Sequence, residues 1–462
     1  MHRCAAIFLL LGLFVTSSEI VLAQEDAPAA DGAETSISFR AQIAPILIAK
    51  CVGCHGSQDP QGGFQLHTFE LLMADGYVEP GSAEDSHLYG LLVEEDPEAR
   101  MPKDDDPLAA DEVTLIAQWI KAGATFDGDD ANAILASIVP RQPFAPPPEA
   151  YRAAVPITSL AFSPDGELLA ASGYHEVTLW KTADGSLVRR IHDIAERVYG
   201  LAWSPDGQLL AVASGTPGAV GDVRLVNPHD GSLVRLLATL EDVALDVAFS
   251  PDGSRLAAAG ADRAVRVFEV ASGAEQLLIE DHADWVLGVA WNPDATRLAT
   301  ASRDKTSKVF DAASGDSLLT YPGHGEIVYD VAFNQDGSEV LTCGRDRKIH
   351  RWNPADGKKT AEIAGFGLDV LRVQFVEGAV FACSGDGTLR VQRKVGEEVK
   401  FQQLAGLTDW AYSLDVHAPS KRLAGGTFDG QVSIINSDDG SVLVAFRAAP
   451  GMEPSADDQA AN

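Results

Sequence analysis

The chain repeats itself from about residue 151 onward, and this repeat limits the possible folds more than any other feature of the sequence. Six segments of similar sequence align on one aromatic position each. They are LAFSPDG (160–166), LAWSPDG (201–207), VAFSPDG (247–253), VAWNPDA (289–295), VAFNQDG (331–337) and VQFVEGA (373–379). The aromatic residues lie 41, 46, 42, 42 and 42 residues apart, and a degenerate seventh segment, LDVHAPS (414–420), continues the series. A period of this length predicts an architecture built from one small unit per repeat.

Each repeat reads as four short β-strands joined by tight turns. The first strand ends in Ser-Pro-Asp-Gly, whose Asp-Gly pair favours a hairpin turn. A strand of small residues such as LLAAS (168–172) follows, then an Asp-containing turn, a third strand and a Gly turn that leads to an outer strand. Seven such repeats predict an all-β propeller with seven blades. The one long interval indicates an extra loop in the second blade, around residues 215–221.

The third strands carry residues at the position of the Trp-Asp pair of WD repeats, as in Leu179-Trp180 and Arg351-Trp352-Asn353. Residues 151–448 therefore resemble a WD-repeat β-propeller. The resemblance implies a rigid disc with a face that binds a protein, which the sequence does not identify. It implies no reaction.

The Gly-His position of WD repeats, just before the first strand, is occupied by three histidines: His192, His282 and His324. A histidine there typically hydrogen-bonds the turn Asp, as His324 could with Asp346, so we predict buried polar braces. The other propeller histidines, His350 among them, show no paired spacing that would indicate a haem or metal centre. Cys343 and Cys383 lie at equivalent positions of adjacent blades, too far apart for a disulfide, and are predicted as buried small residues.

A second motif lies upstream of the repeats. Residues 51–55 read Cys51-Val52-Gly53-Cys54-His55, and C-x-x-C-H is the attachment motif of c-type haem. One helical turn places the two thiols near the two haem vinyl groups, and His55 then faces the iron as its proximal ligand. A redox-active C-x-x-C would need a βαβ context and a zinc site a second ligand pair, and the flanking sequence offers neither. We predict one covalent haem c on Cys51 and Cys54.

The sixth position of the iron takes a second ligand or stays open. Four residues after the motif could supply that ligand: His67, Met73, His87 and Met101. Met101 lies in a loop before the last predicted helix, where it could fold over the other haem face, and a thioether suits electron transfer. Met73 fits core packing better, and either histidine would serve if the iron had two histidine ligands. We predict Met101 as the distal ligand.

Residues 37–126 resemble the cytochrome c domain of large exported planctomycetal proteins. The matching segments are FRAQIAPILIAKCVGCHG (39–56), GGFQL (62–66), EPGSAEDSHLY (79–89), RMP (100–102) and DEVTLIAQWIKAGA (111–124). The resemblance implies a small all-α domain with haem on Cys51 and Cys54, His55 as the proximal ligand and Met101 as the distal ligand. Residues 103–106 (KDDD) depart from the family, whose members more usually continue with Pro and Gly.

The remaining segments are short. Residues 1–23 combine a positive start, an apolar run (5–15) and small residues at a cleavage position, which predicts a secretory signal peptide. We therefore expect an exported protein, periplasmic or on the cell surface, with no membrane span in the mature chain. Residues 24–36 predict an acidic linker, 127–150 a semi-rigid Pro-rich linker and 449–462 a disordered tail.

The chain is strongly acidic, with 35 basic and 67 acidic residues and a formal net charge of −32. The negative electrostatic field of so acidic a chain argues against nucleic acid as a partner, because it would repel the phosphate groups. Residues 24–130 hold 22 acidic and 5 basic residues, and nine acidic residues lie between positions 94 and 112, around Met101. A docking surface for a basic redox protein would explain this cluster, and so would a solvated loop that aids solubility.

Three functions fit these features. The favoured one is an exported monohaem cytochrome that carries electrons, with the WD-repeat propeller as a protein-interaction platform. The alternatives are a haem oxidoreductase whose catalytic centre lies in the propeller, and a haem-based sensor or scaffold. Whether the protein is an enzyme stays open, and electron transfer is favoured over a reaction on its own substrate because the propeller shows no evident ligand set.

Overall fold

The computed structural model describes residues 37–56, 64–96, 98–103, 106–128, 130–139, 143–395 and 398–452. The signal peptide and acidic linker predicted over residues 1–36 lie outside this part of the chain. The chain divides into two compact units, one within residues 1–140 and the other within residues 141–462. Among the described residues, none of the helices combines the length and the apolar character that a membrane span needs.

The first unit is built from short helices, which confirms the predicted all-α character of this domain. A π-helical segment (Phe39–Ile43) runs directly into the first α-helix. The α-helices are α1 (Ala44–Lys50), α2 (Val52–His55), α3 (Phe69–Met73), α4 (His87–Val93), α5 (Ala110–Lys121) and α6 (Leu135–Ile138), with a 3-10 turn at Ala74–Gly76 after α3.

Side chains fix where these helices begin and which face they bury. The Ser38 hydroxyl accepts a hydrogen bond from the N–H of Ala41 (2.9 Å) at the start of the π-helical segment. At the start of α5, the N–H of Ala109 donates to the Glu112 carboxylate (2.8 Å). The buried face of α5 contains the residues that the apolar spacing predicts: Ile116, Trp119 and Ile120.

The helical unit continues beyond the predicted domain boundary at residue 126. Leu135 of α6 is fully buried in the same core as α1 and α5. The Arg40 Nε donates to the carbonyl oxygen of Ile138 (2.8 Å), and the N–H of Glu70 donates to that of Ala131 (2.9 Å). The first part of the predicted linker therefore packs on the helical unit, because its apolar side chains complete the core.

The second unit contains seven four-stranded antiparallel sheets, and in each sheet the strands are ordered as they are in the chain. This confirms the predicted seven-bladed propeller. Blades 1 to 3 contain β1–β4 (Leu160–Phe162, Leu168–Ser172, Val177–Lys181, Leu187–Ile191), β5–β8 (Arg197–Trp203, Leu210–Thr216, Val220–Val226, Leu233–Leu240) and β9–β12 (Ala244–Phe249, Arg255–Gly260, Val265–Glu269, Glu275–Ile279). Blades 4 and 5 contain β13–β16 (Val286–Trp291, Arg297–Ser302, Ser307–Asp311, Ser317–Tyr321) and β17–β20 (Val328–Phe333, Val340–Gly344, Ile349–Trp352, Lys359–Ile363). Blades 6 and 7 contain β21–β24 (Val370–Val376, Ala379–Ser384, Thr388–Val395, Glu398–Gly406) and β25–β28 (Ala411–His417, Arg422–Thr427, Gln431–Asn436, Val442–Arg447).

The Ser-Pro-Asp-Gly segments form the first turn of the blades that carry them. In blade 1 the Ser163 hydroxyl donates to the Asp165 carboxylate (2.5 Å), and the N–H of Gly166 donates to the Ser163 carbonyl oxygen (2.8 Å). Gly166 has a φ of +72°, a left-handed conformation that glycine adopts without a Cβ penalty. The same sequence therefore produces the same turn in successive blades.

Each interface between neighbouring blades has its own apolar core. Seven clusters of buried side chains occupy the seven interfaces. The cluster that joins the last blade to the first contains Trp180 from blade 1 and Ile434 from blade 7. The N–H of Ile157 also donates to the carbonyl oxygen of Thr427 (3.0 Å). The ring is therefore closed by the same apolar packing that joins its other blades.

The chain stays packed past the predicted end of the propeller at residue 448. Ala449 and Pro450 are buried, and the carbonyl oxygen of Pro450 accepts from the N–H of Tyr151 (3.1 Å). These two residues therefore differ from the predicted tail (449–462), and residues 453–462 lie outside the described part of the chain.

Candidate functional site

The C-x-x-C-H motif lies at the junction of α1 and α2. The N–H of Cys51 donates to the Leu47 carbonyl oxygen (2.9 Å) and so ends α1. The carbonyl oxygen of Cys51 then accepts from the N–H groups of Cys54 (3.1 Å) and His55 (2.9 Å), which begins α2. This single turn brings the three side chains to one surface, with Cys51 half-buried and Cys54 exposed. Both thiols are free.

A backbone carbonyl orients the imidazole of His55. The ring Nδ1 lies 3.1 Å from the carbonyl oxygen of Phe64, and the N–H of Leu66 donates back to the His55 carbonyl oxygen (3.0 Å). Because a carbonyl can only accept, the proton of the neutral imidazole lies on Nδ1. The Nε2 lone pair is then available to a metal, which is the arrangement that protein histidine ligands usually show.

The motif opens onto a cavity of about 670 Å³. This volume lies within the range of about 300–1,000 Å³ that cofactor sites occupy. The lining includes Cys51, Cys54, His55 and Met101, and its other members are mostly apolar or aromatic: Phe64, Leu66, Tyr77, Leu88, Leu91, Leu92 and Pro102. Two thiols, an imidazole and a thioether in an apolar cavity form a donor set that fits a c-type haem.

Met101 is held at the cavity by the helix that precedes it. Its N–H donates to the carbonyl oxygen of Leu91 in α4 (2.9 Å), and Leu91 lines the cavity too. The N–H of Arg100 donates to the Asp96 carbonyl oxygen (2.9 Å), which folds the short connection between α4 and Met101. Met101 is therefore tied to α4 by one backbone hydrogen bond, and a second folds the segment just before it.

The structure separates the four candidate distal ligands into two pairs. Met101 and His87 line the cavity together with His55, whereas His67 and Met73 do not. Met73 packs against the core of the helical unit, as its position in α3 predicts. His87 begins α4 and its ring lies 5.3 Å from that of Tyr77. Met101 and His87 are therefore the two candidates that the geometry allows.

The environment of Cys51 argues against thiol–disulfide chemistry. Burial, followed by repulsion from Cys54 and Glu112, raises the pKa of the Cys51 thiol to about 11. A redox-active or nucleophilic cysteine needs a lowered pKa, because the thiolate is the reactive form. The Cys51 thiol therefore lacks the lowered pKa of a redox-active cysteine.

Exposed acidic side chains precede Met101 in the chain. The connection from α4 to Met101 carries four exposed carboxylates: Glu94, Glu95, Asp96 and Glu98. Lys50 and Lys103 lie on the cavity wall itself. The predicted acidic cluster also includes residues 104 and 105, which lie outside the described part of the chain.

Sequence reasoning found the motif residues but missed most of the cavity wall. Phe64 and Tyr77 stack with ring centroids 4.0 Å apart, and Phe64 also contacts the His55 ring (5.5 Å). Phe64 lies in the GGFQL segment (62–66) of the cytochrome c resemblance, but that segment assigns it no role, and Tyr77 lies in none of the matching segments.

In the propeller, two of the three predicted histidine braces are confirmed. His282 contacts Asp304 (2.8 Å) and Thr300 (2.7 Å) through its two ring nitrogens. His324 makes the equivalent contacts to Asp346 (2.8 Å) and Thr342 (2.8 Å). Cys343 and Cys383 are buried and free, as predicted.

The prediction for His192 is wrong, because its side chain is exposed. In blade 2 the turn that would supply the Asp partner is replaced by a long hairpin over residues 215–221. Blade 2 instead has a buried ion pair: Arg224 of the third strand pairs with Asp222 and donates to the carbonyl oxygen of Asp193.

His350, which shows no paired spacing in the sequence, packs against a second histidine in the structure. Its ring stacks on that of His324, with centroids 3.9 Å apart and an interplanar angle of 13°. Asp346 lies beside both, and the three residues offer ligand atoms within 4.8 Å of one another. Sequence separation concealed this cluster, because His324 lies in the connection between β16 and β17, whereas His350 lies on β19.

Comparison with known protein families agrees with this architecture. Residues 51–105 match the family described as Planctomycete cytochrome C. The family described as WD domain, G-beta repeat matches five times, at residues 150–181, 185–216, 231–269, 274–311 and 315–353. No curated protein matches the chain. A planctomycete-type cytochrome c domain and a WD-repeat propeller are therefore joined in one chain.

Proposed function

We propose that this protein is an exported monohaem c-type cytochrome that carries electrons, with its propeller as a platform for protein interactions. The observation that carries the proposal is a single cavity lined by Cys51, Cys54, His55 and Met101. The apolar run near residue 10 supports export, because haem c is attached outside the cytoplasm.

Each of the four residues has a distinct task in this proposal. Haem c, when bound, supplies one-electron redox chemistry. Cys51 and Cys54 would hold it through thioether bonds, and His55 would bind its iron through Nε2 because Phe64 engages Nδ1. Met101 would be the second protein ligand of the iron, and a thioether ligand favours the reduced state. Leucines of α4 on the cavity wall would limit the access of water.

The surfaces of both units support docking of protein partners. The four exposed carboxylates of residues 94–98 would attract a basic redox protein to the part of the helical unit that carries Met101. On the propeller, Trp410 and Phe428 are about half exposed and form a cluster with Tyr412, with ring centroids 5.9–6.4 Å apart. Exposed aromatic residues are typical of protein interfaces.

Mass spectrometry under denaturing conditions tests covalent attachment. We expect the protein, produced with a haem-attachment system, to carry the added mass of one haem per chain. The double variant Cys51→Ala/Cys54→Ala should lose this mass, because only thioether bonds survive denaturation. Cys383→Ala, a change at a buried propeller cysteine, is the matched control and should keep it. Haem that is removed by unfolding the wild-type protein would contradict the proposal.

A further inference from the structure

One position of the propeller blades carries a permanent positive charge in four blades and a histidine in blade 5. The position is defined by the sheet register: it is the third-strand residue that pairs with Val212, Ala258, Thr300, Thr342 or Ala382 of the second strand in blades 2 to 6. It is occupied in blades 2, 3, 4 and 6 by Arg224, Arg266, Lys308 and Arg390. Each of these cations pairs with a carboxylate, as in Arg266–Asp262 (2.7 Å) and Arg390–Asp386 (2.9 Å). Blade 5 has His350 there, so it lacks the built-in cation that these blades use against their acidic turns.

His350 faces carboxylates without bonding them. Its side chain is 3% exposed, and its Nδ1 lies 3.0 Å from the Tyr321 hydroxyl. Its Nε2 makes no hydrogen bond to any described residue. This atom lies 3.5 Å from Asp346 Oδ2 and 3.6 Å from Glu362 Oε2. These distances exceed the 2.7–3.2 Å of an ordinary N–H···O hydrogen bond.

The two distances from His350 Nε2 are those expected between ligand atoms of one small cation. Ligand atoms that lie about 2.0–2.2 Å from a tetrahedral metal ion are separated from one another by roughly 3.3–3.6 Å. Imidazole and carboxylate are a donor set that divalent transition metals such as Zn²⁺ accept. The Tyr321 hydroxyl can accept the Nδ1 proton of His350, which leaves the Nε2 lone pair directed at the carboxylates.

The neighbours of the cluster hold its carboxylates in place. His324 keeps Asp346 in position through a 2.8 Å hydrogen bond and is itself fixed by Thr342. Lys348 holds the other oxygen of Glu362 (2.7 Å). Lys359 contacts Glu362 Oε2 (2.7 Å), but its side chain is 44% exposed and can turn to solvent.

We propose that blade 5 binds one divalent transition-metal ion through Asp346, His350 and Glu362. The ion takes the place of the lysine or arginine that blades 2, 3, 4 and 6 carry. It cross-links the turn before the third strand to the third and fourth strands, and so stabilises the blade. This site is independent of the haem cavity and of the proposed electron transfer.

Calorimetric titration with ZnCl₂ tests the site. The haem-loaded full-length protein is first dialysed against a chelator, so that the haem motif is occupied and bound metal is removed. We expect one Zn²⁺ per chain and a rise in the melting temperature on binding. His350→Lys should weaken Zn²⁺ binding by about 100-fold or more, since it removes a ligand and adds the charge found in blade 4. Glu362→Gln should weaken it about tenfold.

The controls separate this site from general binding to surface groups. His350→Lys should fold, because Lys308 occupies the equivalent place in blade 4, and Glu362→Gln changes a partly exposed side chain. His229→Asn, at an exposed turn of blade 2, should bind Zn²⁺ as the wild type does. Wild-type protein that binds no Zn²⁺, or equal binding by the wild type and both blade 5 variants, would overturn the proposal.

Discussion

At the scale of single residues, the haem motif was predictable and the groups that orient it were not. Cys51, Cys54 and His55 are adjacent in sequence, so one helical turn places them together whatever surrounds them. The carbonyl of Phe64 that orients His55 comes from the chain nine residues later, after a segment outside the described residues. A backbone oxygen has no sequence signature, so only the fold identifies it.

Met101 is also the residue whose role can be tested most sharply. We expect Met101→Ala to lower the midpoint potential of the haem and to remove the methionine-to-iron absorption band, because a thioether ligand favours the reduced state. His87→Ala is the matched control, since His87 lines the same cavity. Spectroelectrochemical titration of both variants measures these effects. A lowered potential in the His87 variant, with the Met101 variant unchanged, would assign the ligand to His87.

At the scale of elements, the repeats predicted the strands of the blades. The differences from the prediction arise where tertiary contacts, which the sequence does not show, decide the structure. The Ser-Pro-Asp-Gly turns and alternating small residues identified the blades because each repeat supports the same local structure. Blade 2 departs from this pattern: His192 is exposed, and the blade contains a buried Arg224–Asp222 ion pair that no local sequence pattern predicts. The position of α6 in the helical core was concealed by the neighbouring prolines, which indicated a linker.

A buried aspartate on the first strand of blade 3 leads us to expect that the folding stability depends on pH. Asp246 of β9 accepts from the N–H of Val289 in the next blade (3.0 Å). Burial raises its pKa to about 6, with Arg372 opposing and Asp330 reinforcing the shift. Since an unfolded Asp ionises near pH 4, this contribution to stability is complete below about pH 4 and is lost as the pH rises through about 6.

We therefore expect the free energy of unfolding to fall by about 1 kcal/mol between pH 5 and pH 7 through Asp246. Asp246→Asn keeps an oxygen acceptor for Val289 but cannot ionise, so its stability should lack this part of the pH dependence. Urea unfolding of both proteins, followed by the circular dichroism of the β-sheets, measures the difference. Parallel pH profiles would show that Asp246 does not carry the effect.

At the scale of the whole molecule, acidity is concentrated in the segment that carries the haem motif. Residues 24–130 hold 22 acidic and 5 basic residues, and four exposed carboxylates lie between α4 and Met101. The sequence predicted this distribution because charge counts need no structure. What the propeller binds was not predictable, because the same scaffold presents different surfaces in different proteins.

This distribution predicts salt-dependent electron transfer. We expect the second-order rate constant with a basic redox protein to fall about tenfold or more from low to physiological ionic strength. Neutralising Glu94, Glu95, Asp96 and Glu98 with Gln or Asn should flatten this dependence. Neutralising Asp184 and Asp230, exposed turn residues of the propeller, should not. Stopped-flow mixing over a range of salt concentrations measures the rate constant for the wild type and for both sets of variants. A wild-type rate constant that does not depend on salt concentration would contradict electrostatic steering.

We propose that His55 and Met101 would both bind the iron of a haem that carries electrons. The visible spectrum of the reduced full-length protein, recorded before and after carbon monoxide is added, tests it most directly. A ligand held by the cavity leaves no open position, so we expect a low-spin spectrum that carbon monoxide does not change. A spectrum that shifts to a carbon monoxide complex would mean an open or easily displaced site, and would favour a sensor or an enzyme instead.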